Sequence, residues 1–399
     1  ASASATDREV AVQQAKLQAT PDDANARLAL ATLFLQKVRE TGDPTFYGKA
    51  DALLTGLAKD RKDDPAVLIA QGGLALGRHE FDEALRLGRR AVDLAPGNSA
   101  ALGVVVDASN ELGRYDDALA ATQAMVDAKP DLASLSRVSY ARELRGDLDG
   151  AITAMAQAVN AAGGSGENLS YTQVLLGNLL LNNGDLAGAE AAYAAAEQSF
   201  PGFALPKAGR ARLLLARGDT AGAAQLLGEV VQVLPTAEHA IAHGDALQSL
   251  GRTREADEAY ALVRAIGRLN ADNGVNVDLE MALFEADHSP GSDAVEGARR
   301  ALKNRPGIQA HDVMAWSLFT AGKGNPWPDA KKAIALGSRD PLIRYHAAAI
   351  AFQRGDREAA RTNLEIVLAT NPRFSPVLAP RVSELASKLG LAPPSSPSG

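Results

Sequence analysis

No cysteine occurs at any of the 399 positions. That absence excludes disulfides, thiolate metal sites and cysteine nucleophiles together. Aromatic residues are scarce at 5%, and no stretch of 18 apolar residues occurs, so no membrane-spanning helix is expected. Positive charge is in short supply: 41 Lys and Arg face 48 Asp and Glu, for a net charge of −7. A general nucleic-acid binder needs a surplus of Lys and Arg to neutralise phosphates, so nucleic acid is not an expected partner. Missing too are a Gly-x-x-x-x-Gly-Lys-Ser/Thr phosphate loop and a Gly-x-Ser-x-Gly nucleophile elbow. The expectation is a non-enzymatic chain without catalytic residues and without a cofactor.

Charge is unevenly spread. Residues 295–399 hold 15 Lys and Arg against 8 Asp and Glu, whereas residues 1–294 carry about −14. This reads either as drift among solvated faces or as a charge polarity that orients a charged partner. The compartment stays open. The chain starts Ala-Ser-Ala-Ser-Ala before Thr6, which fits the tether of an exported or surface-tethered bacterial protein after signal-peptide removal, or residues added for expression of a cytoplasmic one.

What is abundant is a punctuation of small residues and proline that returns every 33 or 34 residues. It appears as Gly72, Ala84, Ala91 and Pro96, then as Gly113, Ala118 and Pro130, and later as Gly177, Ala189, Ala196 and Pro201. A period of that length means stacked helix pairs, each unable to bury its apolar face alone. In the unit from Pro65 to Asn98, one apolar helix spans Ala66–Gly77. A second, over Phe81–Leu94, places Ala84, Leu87, Ala91 and Leu94 periodically. Pro96 then stops the second helix, which it cannot continue. Gly72 and Ala84 fall where the two helices approach most closely.

Segments starting near 24, 65, 99, 132, 170, 204, 237, 275, 308 and 341 repeat this register. Turns such as Gly146-Asp-Leu-Asp-Gly-Ala151 and Gly184-Asp-Leu-Ala-Gly-Ala189 separate the helices. The pattern resembles the tetratricopeptide repeat, with small residues at positions 8, 20 and 27 and proline at 32, over nearly the whole chain. The resemblance implies an all-α, right-handed α-solenoid of about ten helix pairs with helical caps. The expected organisation is a disordered tether over 1–6 and one superhelix over 7–390. Within it, a capping helix covers 7–21, repeats cover 22–374 and a second cap covers 375–390. A disordered Pro/Ser tail follows over 391–399. Four breaks in the period are read as loops: Thr41–Tyr47, Asn160–Asn168, Gly267–Gly274 and Lys323–Pro328.

The resemblance also implies the function: a scaffold that binds a protein or extended peptide in its concave groove. Positions 2, 5, 9 and 12 of each repeat line that groove in tetratricopeptide proteins. Carried over, they give Asp107, Asn110, Ser136, Tyr140, Glu143, Tyr171, Asn178, Arg212, Glu238, Asp245, Gln248, Trp316 and Tyr345, with Leu181, Asp312 and Phe352 on the same stripe. Asn suits gripping a peptide backbone and Tyr suits rigid apolar contact; Trp316 reads equally as core. Chaperone-binding members hold a carboxylate with Lys at position 5, and none of the ten repeats has Lys there.

Two other readings stand beside the scaffold. One is a structural, self-associating envelope-assembly component acting through caps and convex face, although nothing in the sequence indicates a homo-oligomer. The other is a metal- or small-ligand-binding accessory protein using His239 and His243, which sit at i and i+4 on a helix without a third ligand. Asp278, Glu280, Glu285, Asp287 and His288 make an acidic helix and turn, read as a site for a cation or basic peptide or as a solvated face.

Overall fold

The computed structural model describes residues 4–164 and 166–392. Among the described residues there are 22 helices and no strand, arranged as ten hairpins with a single helix before the first and after the last. Helix α1 (Ala5–Ala19) precedes the pairs α2 (Ala24–Thr41) with α3 (Thr45–Asp60), α4 (Pro65–Gly77) with α5 (Phe81–Leu94), and α6 (Ser99–Glu111) with α7 (Tyr115–Ala128). Next come α8 (Leu132–Glu143) with α9 (Leu148–Ala161), α10 (Glu167–Asn182) with α11 (Leu186–Ser199), and α12 (Ala204–Arg217) with α13 (Thr220–Val233). Then follow α14 (Ala237–Ser249) with α15 (Thr253–Asp272), and α16 (Asp278–His288) with α17 (Ser292–Asn304). The last pairs are α18 (Ile308–Thr320) with α19 (Trp327–Ala333) and α20 (Pro341–Gln353) with α21 (Arg357–Ala369), before α22 (Ala379–Leu389). Eight first helices begin on the residue that the period gives; the fifth and eighth, expected from 170 and 275, begin at Glu167 and Asp278.

The Gly-Asp turns explain why the hairpins form where they do. Gly184 and Gly218 adopt φ of 82° and 83°, a left-handed conformation that ends a helix without the penalty a Cβ would bring. The Asp that follows caps the next helix. Asp147, Asp185 and Asp219 accept from the N–H groups of Gly150, Gly188 and Gly222 at 2.8–2.9 Å, and Asp356 accepts from Ala359 at 3.1 Å. Each such cap contributes about 1 kcal/mol.

Small residues then let the hairpins stack. Tyr193 on α11 is fully buried, and its ring lies between Gly177 on α10 and Gly209 on α12. A Cβ at either glycine would fall inside 3.0 Å of the ring. Tyr260 on α15 occupies the matching place beside Gly244 on α14. Both phenols bond back to their own hairpin: Tyr193 donates to Asn178 at 2.8 Å and Tyr260 to Asp245 at 2.9 Å.

The chain divides into two compact units, Ala1–Pro130 with Gly267–Val277, and Asp131–Ile266 with Asp278–Gly399. In the first unit one core gathers Leu30, Phe34, Leu54 and Val67, and a second gathers Phe81, Leu85, Val104 and Val106. The segment after α15 is pinned to the α4–α5 corner, where Asn276 N–H donates to the Arg78 carbonyl at 3.0 Å. His79, with φ of 60°, places Nδ1 2.7 Å from the Asn276 carbonyl.

In the second unit, residues far apart in sequence meet. Gln309 Nε2 lies 3.3 Å from the Tyr140 hydroxyl, Gly146 abuts the Gly337 carbonyl, and Arg373 donates to the Ala216 carbonyl at 3.4 Å. Its cores centre on Ala223, Leu227, Val263 and Phe284, and on Trp316, Leu364, Val367 and Val382.

Several boundaries differ from expectation for identifiable reasons. Residues 1–3 of the expected tether lie outside the described residues. Ser4 is the N-cap of α1 in a reciprocal capping box with Asp7, and Thr6 is buried. The expected loop Thr41–Tyr47 shrinks to 42–44, because α2 and α3 are long and Asp43 accepts from Thr45 N–H at 2.9 Å. The expected linker Gly267–Gly274 is helical through Asp272: α15 runs on for 20 residues, since one glycine within a helix costs only about 1 kcal/mol. Asn160–Asn168 is helical at both ends, with Ser165 outside the described residues. The expected loop Lys323–Pro328 ends at Pro326, which caps an α19 of seven residues from Trp327, because Pro328 is tolerated in the first helical turn. The second cap begins at Ala379 rather than 375, because Phe374–Leu378 forms turns. Of the tail, Leu391 N–H bonds the Ala386 carbonyl at 2.9 Å, and residues 393–399 lie outside the described residues.

Candidate partner-binding groove

Asp107 and Asn110 lie on α6 in the first unit; Asp107 is half-buried and Asn110 buried. The other eleven expected contact positions lie in the second unit on the first helices of six hairpins, α8, α10, α12, α14, α18 and α20. Six of them line three clefts. Asn178, Arg212 and Asp245 border one of about 330 Å³, Gln248 one of about 520 Å³, and Trp316 and Tyr345 one of about 590 Å³.

The face is not an empty channel. Asn371, Phe374, Ser375 and Leu378 of the same chain line the smallest cleft opposite Asn178, Arg212 and Asp245. The Phe374 ring sits 6.1 Å from that of Tyr345, and Leu378 is buried in the core around Trp316. No sequence signal pointed to this filling, since Asn371–Leu378 is a short irregular stretch after the last repeat.

The side chains fall into two groups. Arg212, Glu238, Gln248 and Tyr171 are exposed, and Arg212 forms an ion pair with Glu238. That cation holds the Glu238 carboxyl below its ordinary range. Ser136 turns its hydroxyl onto the Leu132 carbonyl at 2.7 Å. Trp316 and Tyr345, by contrast, are 1% and 4% exposed, so they form the walls of the fold more than a surface for a partner. Trp316 Nε1–H donates to Asp287 at 2.7 Å, and its ring stacks on His346 at 3.9 Å. His346 Nδ1 in turn lies 2.9 Å from Asp312, which accepts its hydrogen. Asp245 also has structural work, accepting from Tyr260 and lying 3.2 Å from His288 Nε2.

Burial shapes the electrostatics. Glu143, half-buried, has its pKa raised to about 7 by desolvation and by the neighbouring Asp340 carboxylate. Asp340 is raised for the same first reason, although it caps α20 by accepting from Leu342 and Ile343 N–H at 2.9 and 3.0 Å. Asp287 is also raised by burial. His239 and His243 both shift down through desolvation. His239 Nδ1 lies 2.9 Å from the Thr236 hydroxyl and 3.2 Å from the Leu234 carbonyl. The His243 ring packs beside Gly228. Among the described residues, no three His, Cys, Asp or Glu side chains gather in a way that could hold a metal ion. No helix among the described residues is long and apolar enough to cross a membrane.

These hairpins, stacked through a small-residue seam, define an α-solenoid repeat protein, a class built around interaction surfaces. Family models described as tetratricopeptide repeat match residues 75–141 and 174–237. Over those residues the chain carries tetratricopeptide repeats. Solved structures similar to it include a thermophilic TPR protein of Thermus thermophilus, at 20% identity and a TM-score of 0.43, covering 48% of this chain and 99% of that one. The human IFIT1 dimer is similar at 12% identity, with a TM-score of 0.49 and coverage of 92% and 95%. A tetratricopeptide repeat protein from Parabacteroides merdae stands at 16% identity and 0.43, covering 61% and 96%. No curated protein sequence matches the chain.

Proposed function

We propose that the chain is a non-enzymatic scaffold that binds a protein or peptide partner on the first-helix face of its second unit. The observation that carries this reading is the coincidence of the groove stripe with three clefts, bordered by exposed side chains such as Arg212 and Gln248. Exposed polar groups beside apolar walls suit reversible recognition, because they lose little on desolvation and select the register of the bound chain. Asn371–Leu378 already occupies part of this face, so a partner enters beside it rather than along an open channel.

The test pairs capture with surface variants. Proteins retained from native lysate are identified by mass spectrometry, purified and titrated calorimetrically against the chain and against Arg212→Glu and Gln248→Glu. Both positions are exposed, so the expected result is unchanged melting with affinity reduced about tenfold or more, the scale of a reversed or added charge at a contact. Undiminished affinity in both variants refutes the proposed face.

A further inference from the structure

The acidic helix α16 offers four carboxylates, and the fold pairs three of them with arginine. Asp278 meets Arg300 at 3.0 Å, Glu280 meets Arg305 at 3.0 Å, and Glu285 meets Arg264 at 3.1 Å. Asp287 alone forms no ion pair with an arginine, although His346 and His288 lie close enough to favour its charged form. One of its oxygens accepts from Trp316 Nε1–H, and among the described residues it makes no other hydrogen bond or ion pair. It borders each of the three clefts described above. In the one of about 590 Å³, it shares the lining with Phe319, Phe352 and Leu385. A carboxylate held half out of water without an ion pair is costly, and an apolar wall beside it suits the methylene stem of a long basic side chain. An aromatic wall adds attraction for the cationic head.

Resting on the scaffold reading above, we infer that this cleft receives one lysine or arginine side chain of a partner polypeptide, its head on Asp287 and its stem against Phe352 and Leu385. The mouth limits the number of basic residues. Arg381 and Lys388 stand there on α22; Lys388 is held by Glu384 at 2.6 Å, whereas Arg381 is exposed and forms no ion pair among the described residues. A single basic residue fits, and a polybasic run meets repulsion from Arg381.

The probes are the peptides acetyl-Gly-Gly-Lys-Gly-Gly-amide, its arginine analogue and its norleucine analogue, titrated against the full chain by calorimetry. The expected result is saturable binding of the two basic peptides, with norleucine weaker by about tenfold or more, as loss of a charge-assisted hydrogen bond implies. Asp287→Asn keeps an oxygen for Trp316 and so keeps the fold, and it should erase the preference for the basic peptides. Gln353→Lys, at an exposed position on the same cleft, should weaken them by added repulsion without touching the core. Equal binding of norleucine, or no saturable binding of any of the three, overturns the inference. Random-peptide display on the full chain separates the two readings. Enriched peptides lacking basic residues overturn this site and leave the scaffold standing, whereas no enrichment of any peptide removes both.

Discussion

Gly209→Ala tests the packing argument most directly, because the same substitution should change sign with its neighbour. In an exposed helix interior, Gly→Ala stabilises by about 1 kcal/mol through the backbone entropy of the unfolded chain. At Gly209 the new methyl meets the ring of Tyr193, which is rigid, fully buried and tied by its hydroxyl to Asn178 at 2.8 Å. Moving that ring costs about 1–3 kcal/mol of overpacking, with about 1 kcal/mol more if the hydrogen bond is lost. The net effect expected for Gly209→Ala is a loss of about 1–3 kcal/mol. In a Tyr193→Leu background, itself destabilised by about 2–4 kcal/mol for the lost ring, the methyl finds room and Gly209→Ala should gain about 0.5–1 kcal/mol. Gly56, where a Cβ meets nothing within 4 Å, is the control, and Gly56→Ala should stabilise in either background. Urea unfolding followed by circular dichroism measures all five variants. The same sign for Gly209→Ala in both backgrounds refutes the claim that the glycine exists to admit the ring.

Other outcomes follow from the same structure. A carboxyl whose folded pKa is raised contributes stability fully below its unfolded value and loses it as pH rises through the folded one. For Glu143 that window runs from the ordinary 4.5 to about 7, an upper limit of about 3 kcal/mol that partial solvent exposure reduces to about 1–2. Glu143→Gln should therefore match the wild type at pH 4 and exceed it at pH 8, and a constant difference across denaturation curves at both pH values disproves the assignment. Asp185→Ala removes the acceptor for Gly188 N–H and should cost about 1 kcal/mol in a chemical melt, with Asp185→Asn losing much less. Trp316→Phe takes the donor from Asp287 and one partner from the His346 stack. It should cost about 2–4 kcal/mol in calorimetric melting, while a loss below 0.5 would show that the indole is no part of the core.

Much of the hairpin order was legible because it is set locally. Gly184-Asp185 ends one helix and caps the next by geometry that needs no distant partner, and Pro96, Pro130 and Pro201 stop second helices wherever they are placed. The misread stretches share a cause. Gly267 resembles a turn signal, yet α15 continues through it, because its other residues favour helix and outweigh one glycine. The stripe at positions 2, 5, 9 and 12 was legible as a helical face, and Arg212 and Gln248 on it are exposed. Trp316 and Tyr345 on the same stripe are buried, since Leu378 and α22 fold back over them from outside the repeat register.

Sequence alone therefore determined the class, the ten hairpins and most of their boundaries, because caps, stops and the small-residue seam act within about 34 residues. Only tertiary structure decided which face stays open. The division into two units, the lining of a cleft by Asn371–Leu378 and the lack of an ion pair at Asp287 among arginine-paired neighbours all depend on residues scores of positions apart. Such contacts obey packing and charge balance in space rather than any period along the chain, so the repeat pattern carries no trace of them.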